Sequence, residues 1–151
     1  MGKMLDSDIL SASVSQVLED AAFIFTEEAT EDLQWKDDIL KSTIRYEGEE
    51  SGTLCLAVNT LLAQNVAANL LGIEQEDEAA KSKAEEAVSE ILNIVCGVFL
   101  ESWLGKSNHC RMGIPSICAV SVNQEQEAFR SARCNAVLED EEGNRIDVFV
   151  S

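Results

Sequence analysis

Residues 84–99 read AEEAVSEILNIVCGVF, and this segment predicts a long helix at the centre of the fold. Its apolar residues recur at spacings of three and four, so they cover one broad side of a helix. A narrow polar stripe remains, formed by Glu86, Glu90, Asn93 and Gly97. Because side chains three or four positions apart stack along a helix, Glu90 and Asn93 are predicted to be neighbours on a face that points away from the core.

Two residues of this polar stripe are unfavourable in the interior of a helix. Relative to Ala, Asn costs up to about 0.7 kcal/mol and Gly costs about 1 kcal/mol. A polar stripe is most simply a solvated face, and helix packing inside the protein would also explain Gly97. The combination of Asn93 and Gly97 also fits a face that leaves room for another molecule, so these interpretations stay open.

Secondary-structure signals on both sides of the long helix predict an α+β fold with antiparallel strands. In chain order the predicted elements are a helix over 6–25, strands over 39–46 and 53–58, a helix over 61–71, the long helix over 76–104, a strand over 114–122 around Pro115, and a hairpin of 130–138 and 145–150.

The order of these elements suggests an internal repeat. Residues 15–18 (SQVL) align with residues 89–92 (SEIL), and the hairpin over 47–58 aligns with residues 139–150, apolar on apolar. We therefore predict a single pseudo-symmetric domain over 1–151, with halves of about 6–72 and 76–151.

The charge of the chain limits its partners. The chain has 11 basic and 28 acidic residues, which gives a formal net charge of −17. Nucleic acid and anionic membranes would be repelled, because both require basic surface. The longest apolar run, ILNIVCGVFL, is too short to span a bilayer, and no charged-then-apolar signal segment opens the chain. We expect a cytoplasmic protein.

The cysteines do not form a recognisable metal or disulfide motif. They are odd in number, scattered and without a C-x-x-C pair, and one His accompanies them: Cys55, Cys96, Cys110, Cys118, Cys134 and His109. The spacings around His109 match no standard zinc site, and a nucleophile triad there has no more support. We expect small core residues and no metal.

The segment SEILNIVCG with Pro115 downstream resembles the CheC/CheX/FliY family of chemotaxis phosphatases. The family's motif is Asp or Ser, three residues, Glu, two residues, Asn, about 22 residues and then a Pro. Glu90 and Asn93 match this motif in type and spacing. Glu86 stands where Asp or Ser is expected, and 21 residues separate Asn93 from Pro115, one fewer than in the motif.

This resemblance implies a pseudo-symmetric domain in which an antiparallel sheet packs with two long helices. It also implies a phosphatase acting on the phosphoaspartate of a CheY-type response-regulator receiver domain, in chemotaxis or another two-component pathway. Asn93 would orient the attacking water and Glu90 would pair with the receiver's Lys, while Glu86, Gly97 and Pro115 would contribute to binding. No cofactor of its own is implied, since Mg²⁺ is expected on the receiver.

The first helix has Gln16 and Glu19 where the long helix has Glu90 and Asn93. A Glu accepts hydrogen bonds but does not donate them, so the first half should be inactive. The resemblance is therefore closest to CheX-like members, with a single site per chain. It further implies a homodimer through strand pairing, and we expect the exposed edge in the second hairpin, which ends at Val150.

Three other functions are compatible with parts of the sequence. A module of the same fold could bind a receiver or a flagellar switch component without catalysis, which Glu86 and the shifted Pro115 favour. A plain dimerisation domain is another possibility. An enzyme acting on small molecules has the least support, because a glycine-rich phosphate loop, a metal-ligand set and a nucleophile–base pair are all lacking.

Overall fold

The computed structural model describes residues 4–151, so three residues of the domain predicted over 1–151 lie outside the described part. Five helices are present in this range: α1 (Ser7–Ala22), α2 (Thr60–Leu71), α3 (Glu78–Ser82), α4 (Ala84–Leu104) and α5 (Val122–Arg130). Seven strands accompany them: β1 (Thr26–Glu28), β2 (Ile39–Glu47), β3 (Gly52–Asn59), β4 (Arg111–Met112), β5 (Ser116–Val120), β6 (Cys134–Asp140) and β7 (Arg145–Val150).

All strands join one antiparallel sheet, which confirms the predicted α+β class. The strand order is β1-β6-β7-β3-β2, and β4 and β5 both pair with the outer side of β2. The exposed edge predicted in the second hairpin is not β7, because β7 lies between β6 and β3; the other strand of the hairpin, β6, pairs with β1 on its outer side only at residues 138–140. The described edges are β1 on one side and β4 with β5 on the other.

The pairing of β3 with β7 has a symmetric register. Leu56 lies opposite Val148, Leu54 opposite Val150, and Val58 opposite Ile146. The sequence alignment of the two hairpins matches Leu56 to Val148, so an approximate two-fold axis through this pair would exchange the hairpins. This register is compatible with the internal repeat, which remains a prediction.

The main core lies between one face of the sheet and helices α1, α2 and α4. An aromatic group anchors it, with ring centroids 6.1 Å apart for Tyr46 and Phe99 and 5.4 Å apart for Phe99 and Trp103. The apolar side of α4 is buried here, including Ile91, Leu92 and Val95. Burial of this side fixes the rotation of α4 and therefore turns its polar stripe outwards.

Of the described helices, α4 is the one long and apolar enough to cross a membrane by length and composition. Half of its most apolar window is buried inside the fold, and a single helix of this kind is weak evidence for a membrane span.

The predicted helices differ from the observed ones at their ends. Asp6 caps α1 by accepting from the amide of Ile9 at 2.9 Å, and α1 ends at Phe23, whose φ of 55° is left-handed. The helix predicted over 76–104 is two helices, because Lys83 leaves helical geometry between α3 and α4.

The segment after Pro115 also differs from its prediction. The strand predicted over 114–122 covers only Ser116–Val120, and Val122–Arg130 forms the helix α5. A capping box between Ser121 and Gln124 starts this helix. The S-x-x-Q pattern was the sequence signal that could have predicted α5.

Candidate functional site

Helix α4 positions the polar stripe at the surface. Glu86 and Glu90 are exposed, and Asn93 and Gly97 are half-buried on the same face. The residues between them, such as Ile91 and Leu92, are buried in the core. Because this buried side holds α4 in place, the orientation of the stripe follows from the packing of the helix.

A surface groove of about 650 Å³ separates α4 from the segment around Pro115. Its walls bring together three residues of the stripe with the predicted Pro: Glu86, Glu90, Asn93 and Pro115. Glu85 and Ser89 of α4 and Ser82 at the end of α3 complete this side, and Gly113, Ile114 and Ile117 complete the opposite side. Gly97 lies one turn beyond Asn93, outside this groove.

A chain of hydroxyl groups connects the two walls of the groove. Ser42 in β2 is completely buried, with its Oγ 3.5 Å from Oγ of Ser89 in α4. The same hydroxyl donates to the carbonyl oxygen of Ser116, directly after Pro115, at 3.1 Å. These contacts hold the Pro115 segment in register with α4. Sequence reasoning missed Ser42, because no local pattern indicates a contact between residues so far apart in the chain.

The polar groups of the groove are available to another molecule. Within residues 4–151, the side chains of Glu90 and Asn93 form no hydrogen bond or ion pair. Glu86 pairs with Lys83 at 3.5 Å, but both side chains are more than half exposed, so this ion pair contributes little to stability. The Asn93 carboxamide therefore keeps both its donors and its acceptor for a ligand or water.

Gly97 faces open space. A Cβ added at this position would meet nothing within 4 Å, so packing inside the described part of the fold does not require a glycine there. The packing explanation for Gly97 is therefore wrong. The glycine leaves an open patch one turn beyond Asn93, on the same face of α4.

The corresponding region of α1 is built differently. Gln16 and Glu19 are both exposed, and neither lines the small groove of about 310 Å³ beside α1. That groove contains the carboxylate of Glu28, which accepts from the Ser11 hydroxyl at 2.7 Å. Among the described residues, no carboxamide lines the α1 groove, so the α1 side offers different chemistry from the α4 side.

No three His, Cys, Asp or Glu side chains in residues 4–151 are grouped so that they could hold a metal ion. The five cysteines are free thiols, and Cys55 and Cys96 are buried as predicted. The prediction that all five are core residues is wrong for the other three, because Cys110 and Cys134 are half-buried and Cys118 is exposed. Burial raises the pKa of Cys55 to about 11 and that of Cys96 to about 12, so both are protonated at neutral pH. Protonated, buried thiols are inert as nucleophiles and metal ligands.

The family model described as "Chemotaxis phosphatase CheX" matches residues 40–131, a range that contains α4 and both walls of the groove. The chain belongs to the CheX family. The resemblance identified from the Glu90–Asn93 motif is thereby confirmed, although the roles of these residues stay a prediction. No curated protein matches the chain in sequence.

Solved structures of the CheX and FliY type share the fold. The complex of CheX with CheY, BeF₃ and Mg²⁺ from Borrelia burgdorferi has a TM-score of 0.68 at 16% identity, covering 95% of each chain. CheX from Vibrio vulnificus has a TM-score of 0.68 at 17% identity, covering 95% of this chain and 97% of that one. FliY from Thermotoga maritima has a TM-score of 0.62 at 14% identity, covering 96% and 87%.

Proposed function

We propose that this CheX-family protein dephosphorylates the phosphoaspartate of a CheY-type receiver domain, with Glu90 and Asn93 as the catalytic pair. The observation that carries the proposal is that Glu90 and Asn93 line one groove, one helical turn apart, without a partner in residues 4–151. Membership of a family of chemotaxis phosphatases supports it, as does a relative solved in complex with CheY.

The proposed reaction is hydrolysis of an acyl phosphate. A water oxygen attacks phosphorus in line with the aspartyl oxygen, the P–O bond to the aspartate breaks, and the products are inorganic phosphate and a free carboxylate. The receiver's own Mg²⁺ and Lys neutralise charge on the phosphoryl group. This chain therefore needs to supply position rather than a metal or a covalent nucleophile.

Asn93 suits the task of holding that water. Its carboxamide accepts a hydrogen bond from the water and donates another, and it brings no negative charge towards the phosphoryl oxygens. Glu90, one turn away and exposed, is free to pair with the receiver's Lys. Glu86 and Pro115 line the same groove, and Gly97 lies beyond it, so these three residues are proposed to contact the receiver.

The first experiment is phosphate release from a Mg²⁺-bound receiver charged with acetyl phosphate, with wild type beside Asn93→Ala and Asn93→Asp. Both variants should lose about 10²–10³ in rate, by analogy with the loss of one oxyanion donor. Asn123→Ala, an exposed Asn at the start of α5, is the matched control and should keep full activity. Full activity in Asn93→Ala would overturn the assignment of the site.

A receiver-binding module without catalysis is the second candidate. It is favoured by Glu86, which stands where the family motif has Asp or Ser, and by Pro115, which is one residue closer to Asn93 than in the motif. Such a module would bind a beryllofluoride-charged receiver without accelerating phosphate release from the phosphorylated one. The same pair of assays therefore separates the two functions.

We further propose that the protein is a homodimer in which β5 pairs with β5 of a second copy. The described edges differ in how they are protected. The edge strand β1 is three residues long and carries Glu27 and Glu28, whereas β5 has the uncharged sequence SICAV. Charged, short edge strands resist pairing, so β5 is the edge more suited to it.

A further inference from the structure

Two apolar patches flank the polar face of α4. On one side, Ile114 is 92% exposed and stands next to Pro115 on the groove wall. On the other side, Leu70 and Leu71 at the end of α2 are 38% and 51% exposed. Glu86, Glu90 and Asn93 lie between these two patches.

The second patch is continuous with the groove. A shallow depression of about 310 Å³ lies between α2 and α4, with Ala67, Leu70 and Leu71 on one wall and Lys83, Glu86, Ala87 and Glu90 on the other. Glu86 and Glu90 therefore line both the depression and the groove. A protein surface that reaches Glu90 from solvent passes over α2 on one side and over the Pro115 segment on the other.

The exposure of Ile114 does not serve the core of this protein. The backbone around it is fixed, since the amide of Gly113 donates to the carbonyl of Arg45 at 2.8 Å and β5 begins at Ser116. Ile114 is therefore almost fully exposed although the backbone on both sides of it is fixed. Together with Pro115 and Ile117, which line the same wall, Ile114 gives this side of the groove a contiguous apolar surface, the kind of patch that marks interaction sites.

Electrostatics adds a reason for apolar anchoring. With a net charge of −17 and Glu85, Glu86 and Glu90 around the groove, long-range attraction cannot recruit a partner that is itself acidic. Burial of apolar area has no such requirement and contributes affinity whatever the net charge of the partner. The patches on both sides of the stripe are in the right place to provide it.

We propose that Ile114 and the pair Leu70–Leu71 are the apolar anchors on which the receiver domain docks, one on each side of Glu90 and Asn93. This inference rests on the proposed function and adds the surface that determines affinity. The occupant is a receiver domain with apolar surface on both sides of its phosphoaspartate and Lys. The anchors affect binding of the receiver, and Asn93 acts in the chemical step.

The test compares Ile114→Ala and Leu71→Ala with Leu61→Ala. Leu61 is the matched control, because it is an exposed Leu on the same helix, 45% accessible, at the opposite end. Two measurements are made: the Kd for a Mg²⁺- and beryllofluoride-charged receiver, and kcat and KM for phosphate release. All three side chains are exposed, and unchanged thermal unfolding checks that each variant folds.

We expect Ile114→Ala and Leu71→Ala each to raise Kd and KM about tenfold, the effect of removing an apolar anchor from an interface, with kcat within about twofold of wild type. Leu61→Ala should match wild type. An unchanged Kd in both anchor variants, or a loss confined to kcat, would overturn the proposal that these residues anchor the receiver. If wild type binds the receiver but does not accelerate phosphate release, the proposed function fails. The Kd values of the variants then still show whether Ile114 and Leu71 contribute to binding. If wild type binds no receiver, both proposals fall.

Discussion

The Nζ of Lys41 in β2 lies 3.3 Å from Oε1 of Glu125 in α5, and the Glu125 side chain is completely buried. Glu125 is the one buried residue of α5, so this helix is attached to the sheet through a carboxyl group as well as through the Phe129–Phe149 ring contact. Asp147 and Arg145 of β7 complete the cluster, with Arg145 Nε donating to Asp147 Oδ1 at 2.7 Å. Among the described residues, both Glu125 oxygens and Asp147 Oδ2 lack a hydrogen-bond partner.

Burial is the main reason why the pKa of Glu125 is raised to about 8. The nearby carboxyl of Asp147 raises the pKa further, and Lys41 lowers it by less. A proton on Glu125 allows it to donate a hydrogen bond to the Asp147 carboxylate. The pKa is higher in the folded chain than its ordinary value of 4.5, so the stabilising contribution of this proton is present at acid pH and is lost as the pH rises towards 8.

We therefore expect Glu125→Gln to change the pH dependence of stability. Gln has the shape of the protonated acid and never ionises, so between about pH 5 and pH 9 wild type should lose stability relative to the variant. Urea unfolding at several pH values measures this difference, in which the contributions of the other carboxylates cancel. Glu127→Gln, on the exposed side of the same helix, should follow wild type. Parallel curves for wild type and Glu125→Gln would contradict the prediction.

The α5 cluster also shows why the sequence predicted some parts of the fold and not others. The stripe on α4 was predictable, because a 3.6-residue period separates a core side from a solvent side. By contrast, α5 has a buried carboxyl where an apolar residue would signal a helix, so only its capping box indicated it. The central place of β7 was not predictable either, because its pairing with β3 joins residues far apart in the chain.

The composition of the groove was predictable only on one side. Glu86, Glu90 and Asn93 follow from the spacing on one helix, and Pro115 came from the family resemblance. The Ser42–Ser89 contact connects the two walls. It joins a strand to a helix, and no sequence pattern predicts such a contact. The same is true of the depression between Leu71 and Glu90, since helix–helix contacts depend on how α2 and α4 pack.

The proposed ion pair between the Glu90 carboxylate and the receiver's Lys can be tested by removing the charge of Glu90. We expect Glu90→Gln to raise KM for the phosphorylated receiver several-fold and to weaken the salt dependence of binding, because a carboxylate–ammonium contact is replaced by a neutral one. The measurement is phosphate release at low and high salt. Glu101→Gln, an exposed Glu of α4 outside the groove, is the matched control. Equal salt slopes for wild type and Glu90→Gln would exclude the ion pair.

The proposed dimer through β5 can be broken by a charge on that edge. Cys118 is the central residue of β5 and is exposed, so antiparallel pairing of two β5 strands about their centres would bring two such residues together. We expect Cys118→Glu to give a monomer by light scattering, because like charges directly opposite each other destabilise a strand pair, whereas within one chain the new carboxylate lies opposite Lys41 of β2. Cys118→Ser should remain dimeric. A monomeric wild type at micromolar concentration would count against the dimer itself.

At Gly97, a substitution is expected to have opposite effects on stability and on receiver binding. Since a Cβ at this position meets nothing within 4 Å, Gly97→Ala should stabilise the protein by up to about 1 kcal/mol, the difference in helix propensity. The methyl group would also enter the open patch beside Asn93, so we expect weaker binding of the charged receiver from a more stable protein. Denaturant unfolding and the Kd are measured on the same sample.

The control for Gly97→Ala is Gly72→Ala. Gly72 ends α2 with a φ of +69°, where a side chain is strained, so Gly72→Ala should lose stability although open space surrounds it. Opposite signs of the stability change in the two variants would attribute the effect at Gly97 to helix propensity. If Gly97→Ala gains stability and binds the receiver as wild type does, the open patch is not part of the docking surface.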